Sequence, residues 1–178
     1  ERKIYKKSIG FLGGIRYYEI LKNVIDAVKD LEINFYLFGN GPELNKLENY
    51  AKDINNVHFF GRYEYNQIAN IYNNIDILWA AYPSKDFNVK NAISNKFFES
   101  IIYNVPGIYS KNTKLGAYVE KNGLGFVVDE YDSNSIKKLI KNLDDKKIIE
   151  KTKKLMSYEH VYWEEKEHLL VNFINKVR

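Results

Sequence analysis

Apolar residues recur along this chain in two alternating patterns. Short, near-continuous apolar runs, Ile9–Leu12, Ile33–Phe38, Val57–Phe60 and Ile75–Ala81, have the length of buried strands. Between them apolar positions step by three and four, as with Ile20, Val24, Ile25, Ala27 and Val28 inside Tyr17–Leu31, which is the spacing of one helix face. The same rhythm predicts a helix through Leu44, Leu47 and Tyr50 with Pro42 at its first turn, then one around Ile68 and Ile71. A polar loop, Tyr82–Lys90, precedes a helix Ser94–Tyr103 and a strand Gly107–Tyr109. Helix Lys114–Lys121 stops at Asn122-Gly123, a common helix-ending pair. Strand Phe126–Val128, helices Ser135–Leu143 and Lys146–Leu155, and an amphipathic segment Glu159–Val177 carrying Trp163 complete the chain.

Strands alternating with helices at this spacing predict an α/β fold, a Rossmann-like parallel sheet with helices on both faces. Near-continuous apolar strands agree, because both faces of such a sheet are covered. Residues 1–8 read as a linker or boundary and 9–178 as one domain that includes a C-terminal helix over 159–177. Ligands of such sheets bind outside the carboxyl ends of the strands. Gly13-Gly14, Gly39–Gly41, Gly61 and the Tyr82–Asn91 loop all follow strands, so they share that rim.

Composition narrows the chemistry. The absence of cysteine among 178 residues excludes a disulfide framework and thiolate catalysis. No apolar run approaches the roughly 20 residues that span a bilayer. The net charge of +4 is modest, and no basic stripe of the kind a nucleic-acid module needs is evident. Lys146, Lys147, Lys151, Lys153 and Lys154 read as a solvated helix face. His58, His160 and His168 show no ligand spacing, so no metal site is expected. The full Gly-x-Gly-x-x-Gly fingerprint of a dehydrogenase is missing, and no Ser-His-Asp order suggests hydrolysis.

The most informative stretch is Asn91–Ser110. A helix opening on Ser94, Asn95 and Lys96 offers free backbone N–H groups, a positive dipole end and an ammonium, all suited to phosphate. Ile93, Phe97, Phe98, Ile101 and Ile102 form its expected apolar stripe, and Glu99 falls off it, one turn beyond Lys96. A carboxylate beside a phosphate-binding helix start suits sugar or ribose hydroxyls; the alternative is a surface carboxylate paired with Lys96. The Arg16 fork matches two phosphate oxygens, against a plain rim salt bridge. Gly13 and Gly14 read as turn residues that also let backbone approach a ligand closely, whereas Gly39 and Gly41 read first as ordinary turn chemistry. Tyr63 after Gly61 reads either as a half-buried loop tyrosine or as the wall of a base pocket.

In order and spacing, these segments resemble the C-terminal donor-binding domain of GT-B-type, family-four (group 1) glycosyltransferases. The matching signposts are Phe11-Leu12-Gly13, Phe38-Gly39-Asn40-Gly41-Pro42, Val57-His58-Phe59-Phe60-Gly61, Ile71–Ile77, Asn95-Lys96-Phe97-Phe98-Glu99, Val105-Pro106-Gly107-Ile108 and Gly123–Val127. The resemblance implies one half of a GT-B enzyme, with an N-terminal acceptor domain of the same enzyme across a cleft. It implies a UDP- or GDP-sugar as substrate, with no cofactor and no metal, and retention of anomeric configuration. With such a donor, Gly14, Arg16, Ser94, Asn95 and Lys96 are the residues expected at its diphosphate, Arg16 replacing the cation the family carries where Gly14 stands. By resemblance Glu99 holds the ribose and Asn91 a sugar hydroxyl, and Gly39, Gly41, Gly61 and Tyr63 are expected at the nucleotide pocket. The catalytic group is not identified. The family's usual charged positions fall on Asn91, Gly14 and Glu19, which keeps open a second reading, a non-catalytic donor-domain homologue acting as a binding or assembly module. Synthesis of polysaccharide or glycolipid is the implied role, in the cytoplasm, with peripheral contact at the inner membrane face left open.

Overall fold

A computed structural model describes residues 7–158 of the chain. Residues 1–6 of the expected linker 1–8, the helix 159–177, Trp163, His160 and His168 lie outside the described residues, and residues 7–8 of that linker belong to the first strand. Six strands, β1 (Lys7–Leu12), β2 (Ile33–Phe38), β3 (Val57–Gly61), β4 (Ile77–Trp79), β5 (Gly107–Ser110) and β6 (Gly125–Val128), form one parallel sheet in the order β3-β2-β1-β4-β5-β6. The helices are α1 (Tyr18–Val28), α2 (Leu44–Ala51), α3 (Ile68–Asn73), α4 (Phe87–Asn91), α5 (Asn95–Ile102), α6 (Lys114–Asn122) and α7 (Ser133–Lys141). A last helical stretch covers 145–158.

Strand side chains alternate between faces, and this divides the core in two. Ile77 and Trp79 join Ile9, Phe11, Phe35 and Leu37 under α1, α2 and α7, while Leu78 between them joins Tyr72, Phe97, Ile101, Tyr109 and Val119 on the other side. Both faces of the central strands are therefore covered, as their apolar runs require. Among the described residues, one face of the β2–β3 edge is only partly covered. Tyr36, Phe38 and Phe60 pack as an aromatic set on the open face, and Phe60 stays exposed. His58 joins this set, half-buried, with Nε2 3.3 Å from Asn34 Oδ1.

Several expected boundaries shift for local reasons. β1 starts at Lys7, not Ile9, because the charged head of Lys7 reaches Leu143 O and Asp145, each at 2.9 Å. Pro42 precedes the helix instead of opening it: Glu43 is the N-cap, and its N–H donates to Ile15 O. The polar loop after β4 contains α4, started by Asp86 Oδ1, which accepts from the N–H groups of Asn88 and Val89. The apolar stripe of α5 narrows to Phe97 and Ile101 with Ser100, while Ile93 and Ile102 are exposed. Four of the five clustered lysines, Lys146, Lys147, Lys153 and Lys154, are exposed on the last helical stretch.

Candidate functional site

The sheet order reverses between β1 and β4, and the crevice at such a switch point is where open α/β sheets hold ligands. Here it opens as a cleft of about 490 Å³, within the usual range for small-molecule sites. Its walls come from the loops after three adjacent strands. Leu12 ends β1, and Gly13, Gly14, Arg16 and Tyr17 follow it; Tyr82, Asn88, Val89 and Ala92 follow β4; Tyr109 and Ser110 end β5, and Thr113 caps α6. Ser94, Asn95 and Lys96 at the mouth of α5 close the ring.

Two helices aim their N-termini at this cleft. Ser94 caps α5, its Oγ accepting from the Lys96 N–H at 3.2 Å. Thr113 caps α6, its Oγ1 accepting from the Gly116 N–H at 2.9 Å while donating to Ser110 O at 2.8 Å. The first N–H of a helix has no intrahelical partner, which leaves the Asn95 N–H as a donor on the cleft wall. Positive dipole ends and free N–H groups favour an anion there. Arg16 adds a full positive charge. It is exposed, forms no ion pair among the described residues, and folds its guanidinium over Gly14, where an added Cβ would meet Nη2 at 2.9 Å.

Lys96 and Glu99 form a different kind of pair. Glu99 Oε2 accepts from Lys96 Nζ at 2.6 Å and from the buried Tyr72 hydroxyl at 2.7 Å. The pair is largely enclosed, its side chains 12% and 22% exposed. Burial, reinforced by the Glu99 charge, pushes the hydroxyls of Tyr63, Tyr72 and Tyr82 above the ordinary phenol value, so they stay donors. Glu99 is not among the residues lining the cleft; Lys96 and Tyr82, which feel its charge, are.

The five expected diphosphate residues, Gly14, Arg16, Ser94, Asn95 and Lys96, thus meet around one cavity. The other expected residues fall elsewhere. Asn91 ends α4 and turns its amide back to Phe87 O at 2.8 Å. Gly39 and Gly41 brace the loops beneath the cleft. A Cβ on Gly39 would lie 1.8 Å from Gly13 O, and one on Gly41 2.3 Å from Ile15 O. Gly61 O accepts from the Gly39 N–H at 2.7 Å in the same brace. Tyr63 is half-buried against the second core cluster. Glu19 is exposed in the first turn of α1, outside the cleft lining. Sequence reasoning overlooked Tyr17, Tyr82, Tyr109 and Thr113. Thr113 carried a usable signal, a hydroxyl residue between a strand end and an expected helix start.

The family profile described as glycosyl transferases group 1 matches residues 3–159. The chain belongs to the group 1 glycosyl transferases. An uncharacterized glycosyltransferase of Methanocaldococcus jannaschii is 24% identical over 131 residues, which is 72% of this chain and 36% of that protein. Anabaena HepE, solved with UDP and glucose, superposes with a TM-score of 0.71 at 15% identity, over 86% of this chain and 44% of HepE. The C-terminal domain of the Francisella tularensis group 1 protein LpcC superposes at 0.70 with 21% identity, covering 89% of this chain and 86% of that domain. The fold is therefore one half of a GT-B glycosyltransferase, and the chain spans less than half the length of the M. jannaschii relative and of HepE.

No helix among the described residues of this group 1 domain is long and apolar enough to cross a membrane. Nor do the described residues contain a cluster of three His, Asp or Glu side chains placed to hold a metal ion.

Proposed function

We propose that this domain binds the donor of a retaining glycosyltransferase that moves a hexose from a UDP- or GDP-sugar to an acceptor hydroxyl. The observation carrying this reading is the convergence of Arg16 and the mouths of α5 and α6 on one cleft at the sheet's switch point. When the sugar–phosphate bond breaks, negative charge develops on the leaving diphosphate. Prearranged donors and a guanidinium stabilise that charge without reorganising. Arg16, the Asn95 N–H and the two dipole ends supply them, so neither a metal nor a cofactor is needed. Glu99, held by Tyr72 and Lys96 through Oε2, retains Oε1 to accept from ribose hydroxyls. That HepE was solved with UDP and glucose supports the donor class.

The acceptor site belongs to an N-terminal domain of the same enzyme, and the product is a polysaccharide or glycolipid. We assign the complete enzyme to the cytoplasm, in peripheral contact with the membrane when its acceptor is a lipid. One observation favours a second reading, a non-catalytic binding module: the Asn91 amide bonds its own helix and brings no charge to the cleft. Calorimetry of the 178-residue chain with UDP, GDP and UDP-glucose tests donor binding. Saturable binding of one of them is expected, and none at millimolar ligand contradicts it. Transfer assays on the complete enzyme then separate the two readings.

A further inference from the structure

Glu130 is wholly buried just beyond β6, and nothing in the donor-binding reading uses it. Its Oε1 accepts the Ser84 N–H at 2.7 Å, and its Oε2 has no hydrogen-bond partner among the described residues. Burying a carboxylate with one of its oxygens unpaired is unfavourable, so this side chain is a poor choice for stability alone. What it does secure is the root of the cleft wall. Ser84 lies two residues after Tyr82 and four before Asn88, both lining the cleft.

Neighbouring contacts point the same way. The Lys85 N–H donates to the Tyr131 hydroxyl at 3.3 Å, and the Lys85 ammonium sits 4.3 Å from the centre of that ring. Glu130 O accepts from Asn23 Nδ2 at 3.1 Å, which joins the clasp to α1. Ser110 Oγ donates to Tyr82 O. Past these anchors α4 meets α6, and Phe87 and Ile93 are exposed. The wall is thus anchored at its root, in residues 82–85.

We propose that Glu130 is a positioning residue of the cleft, fixing the wall after β4 through the Ser84 N–H and thereby setting affinity for the nucleotide sugar. The proposal rests on the donor-binding reading above. A wall released from its anchor spends part of its time in incompetent positions, and apparent affinity falls by that fraction.

The test compares Glu130→Met, which removes the acceptor at similar volume, with Glu130→Gln, which keeps a carbonyl for the Ser84 N–H. The probe is whichever of UDP-glucose and GDP-glucose the wild-type chain binds more tightly. Affinity is expected to fall about tenfold in the Met variant, the effect of losing one hydrogen bond to a charged group. The Gln variant should stay within about threefold of wild type. Ser84 and Lys85 amide exchange should quicken in the Met variant only. A merely structural Glu130 would lower the melting temperature in both variants and leave the affinity of the folded protein unchanged, and that result overturns the proposal. If the Met variant does not fold, Tyr131→Phe loosens the adjacent anchor and should weaken binding by a smaller factor; unchanged binding overturns the clasp. If wild type and variants alike bind no nucleotide sugar, the donor reading is what fails. Amide exchange then still judges the clasp, and an unaltered Ser84 rate refutes it.

Discussion

Lys96 and Glu99, one turn apart on α5, are bonded to each other at 2.6 Å within a largely enclosed pocket. The ammonium that opens the helix therefore has its counter-charge in place before any ligand arrives. An exposed pair of this spacing is worth only tenths of a kcal/mol, but here Tyr72 adds a buried donor to the same carboxylate oxygen. Arg16, with no ion pair among the described residues, is left as the uncompensated cation of the cleft. The two positive residues thus sit differently: Lys96 is bonded to Glu99, whereas Arg16 lines the cleft without an ion pair among the described residues and is the proposed contact of the diphosphate.

Arg16→Ala should weaken UDP or GDP binding by at least about tenfold, since a charge-assisted bond to phosphate is lost. Because Arg16 is exposed, unfolding stability should stay within about 0.5 kcal/mol of wild type. Calorimetry and urea unfolding on the same sample separate these effects. A large loss of stability would show that Arg16 is structural.

Tyr72→Phe removes one of the two donors that Glu99 Oε2 has among the described residues and leaves the ring. Stability should fall by about 1.5–3 kcal/mol, the range for a bond to a charged group. Nucleotide affinity should fall as well, because Glu99 is then held by Lys96 alone. A stable variant with wild-type affinity would show that Tyr72 does not orient the carboxylate.

Gly39→Ala and Gly61→Ala should differ sharply, although both glycines have positive φ, +142° and +68°. At Gly39 an added methyl also meets Gly13 O at 1.8 Å, whereas at Gly61 nothing lies within 4 Å. Gly61→Ala should cost about 1–2 kcal/mol of backbone strain. Gly39→Ala should cost more and disturb the β1–α1 loop under the cleft. Urea midpoints of the two variants give the comparison.

Asp26 joins α1 to α2 by accepting from Lys22 Nζ at 2.7 Å, Tyr50 OH at 2.6 Å and Lys29 Nζ at 3.2 Å. Burial pushes its carboxyl up, but these bonds outweigh it and hold the group below the usual carboxylate value. A depressed folded value stabilises the protein above the unfolded value of about 3.9. That contribution is lost as pH falls through the folded value. Urea midpoints should therefore drop more steeply for wild type than for Asp26→Asn on going from about pH 6 to about pH 3. Parallel curves would contradict the assignment.

What could be read from the sequence was mostly local. Ser94 as N-cap, Gly123 as the left-handed helix stop and the run Ile33–Phe38 are each specified by a few adjacent residues. The chain order of strands and helices then gave the Rossmann-like sheet. The five diphosphate candidates lie together because helix starts and post-strand loops fall on one rim by topology. What escaped depends on contacts distant in sequence. Tyr72 and Glu99 are 27 positions apart, and Ser84 and Glu130 are 46 apart. No periodicity encodes such meetings. Gly39 and Gly41 stand out in the sequence because they follow a strand, but only the structure shows that their missing side chains make room for the β1–α1 loop. The α4 helix was hidden because five residues are too few for a repeating apolar face.

The central claim is that one anion-binding cleft, built on Arg16 and the α5 mouth, holds a nucleoside diphosphate. Amide NMR of the labelled 178-residue chain titrated with UDP and, separately, GDP tests it most directly. Saturable shifts should centre on Gly14, Arg16, Asn95, Lys96 and Thr113, leaving the aromatic face around Phe60 undisturbed. Shifts confined to residues away from the carboxyl ends of β1, β4 and β5, or none at millimolar nucleotide, would contradict it.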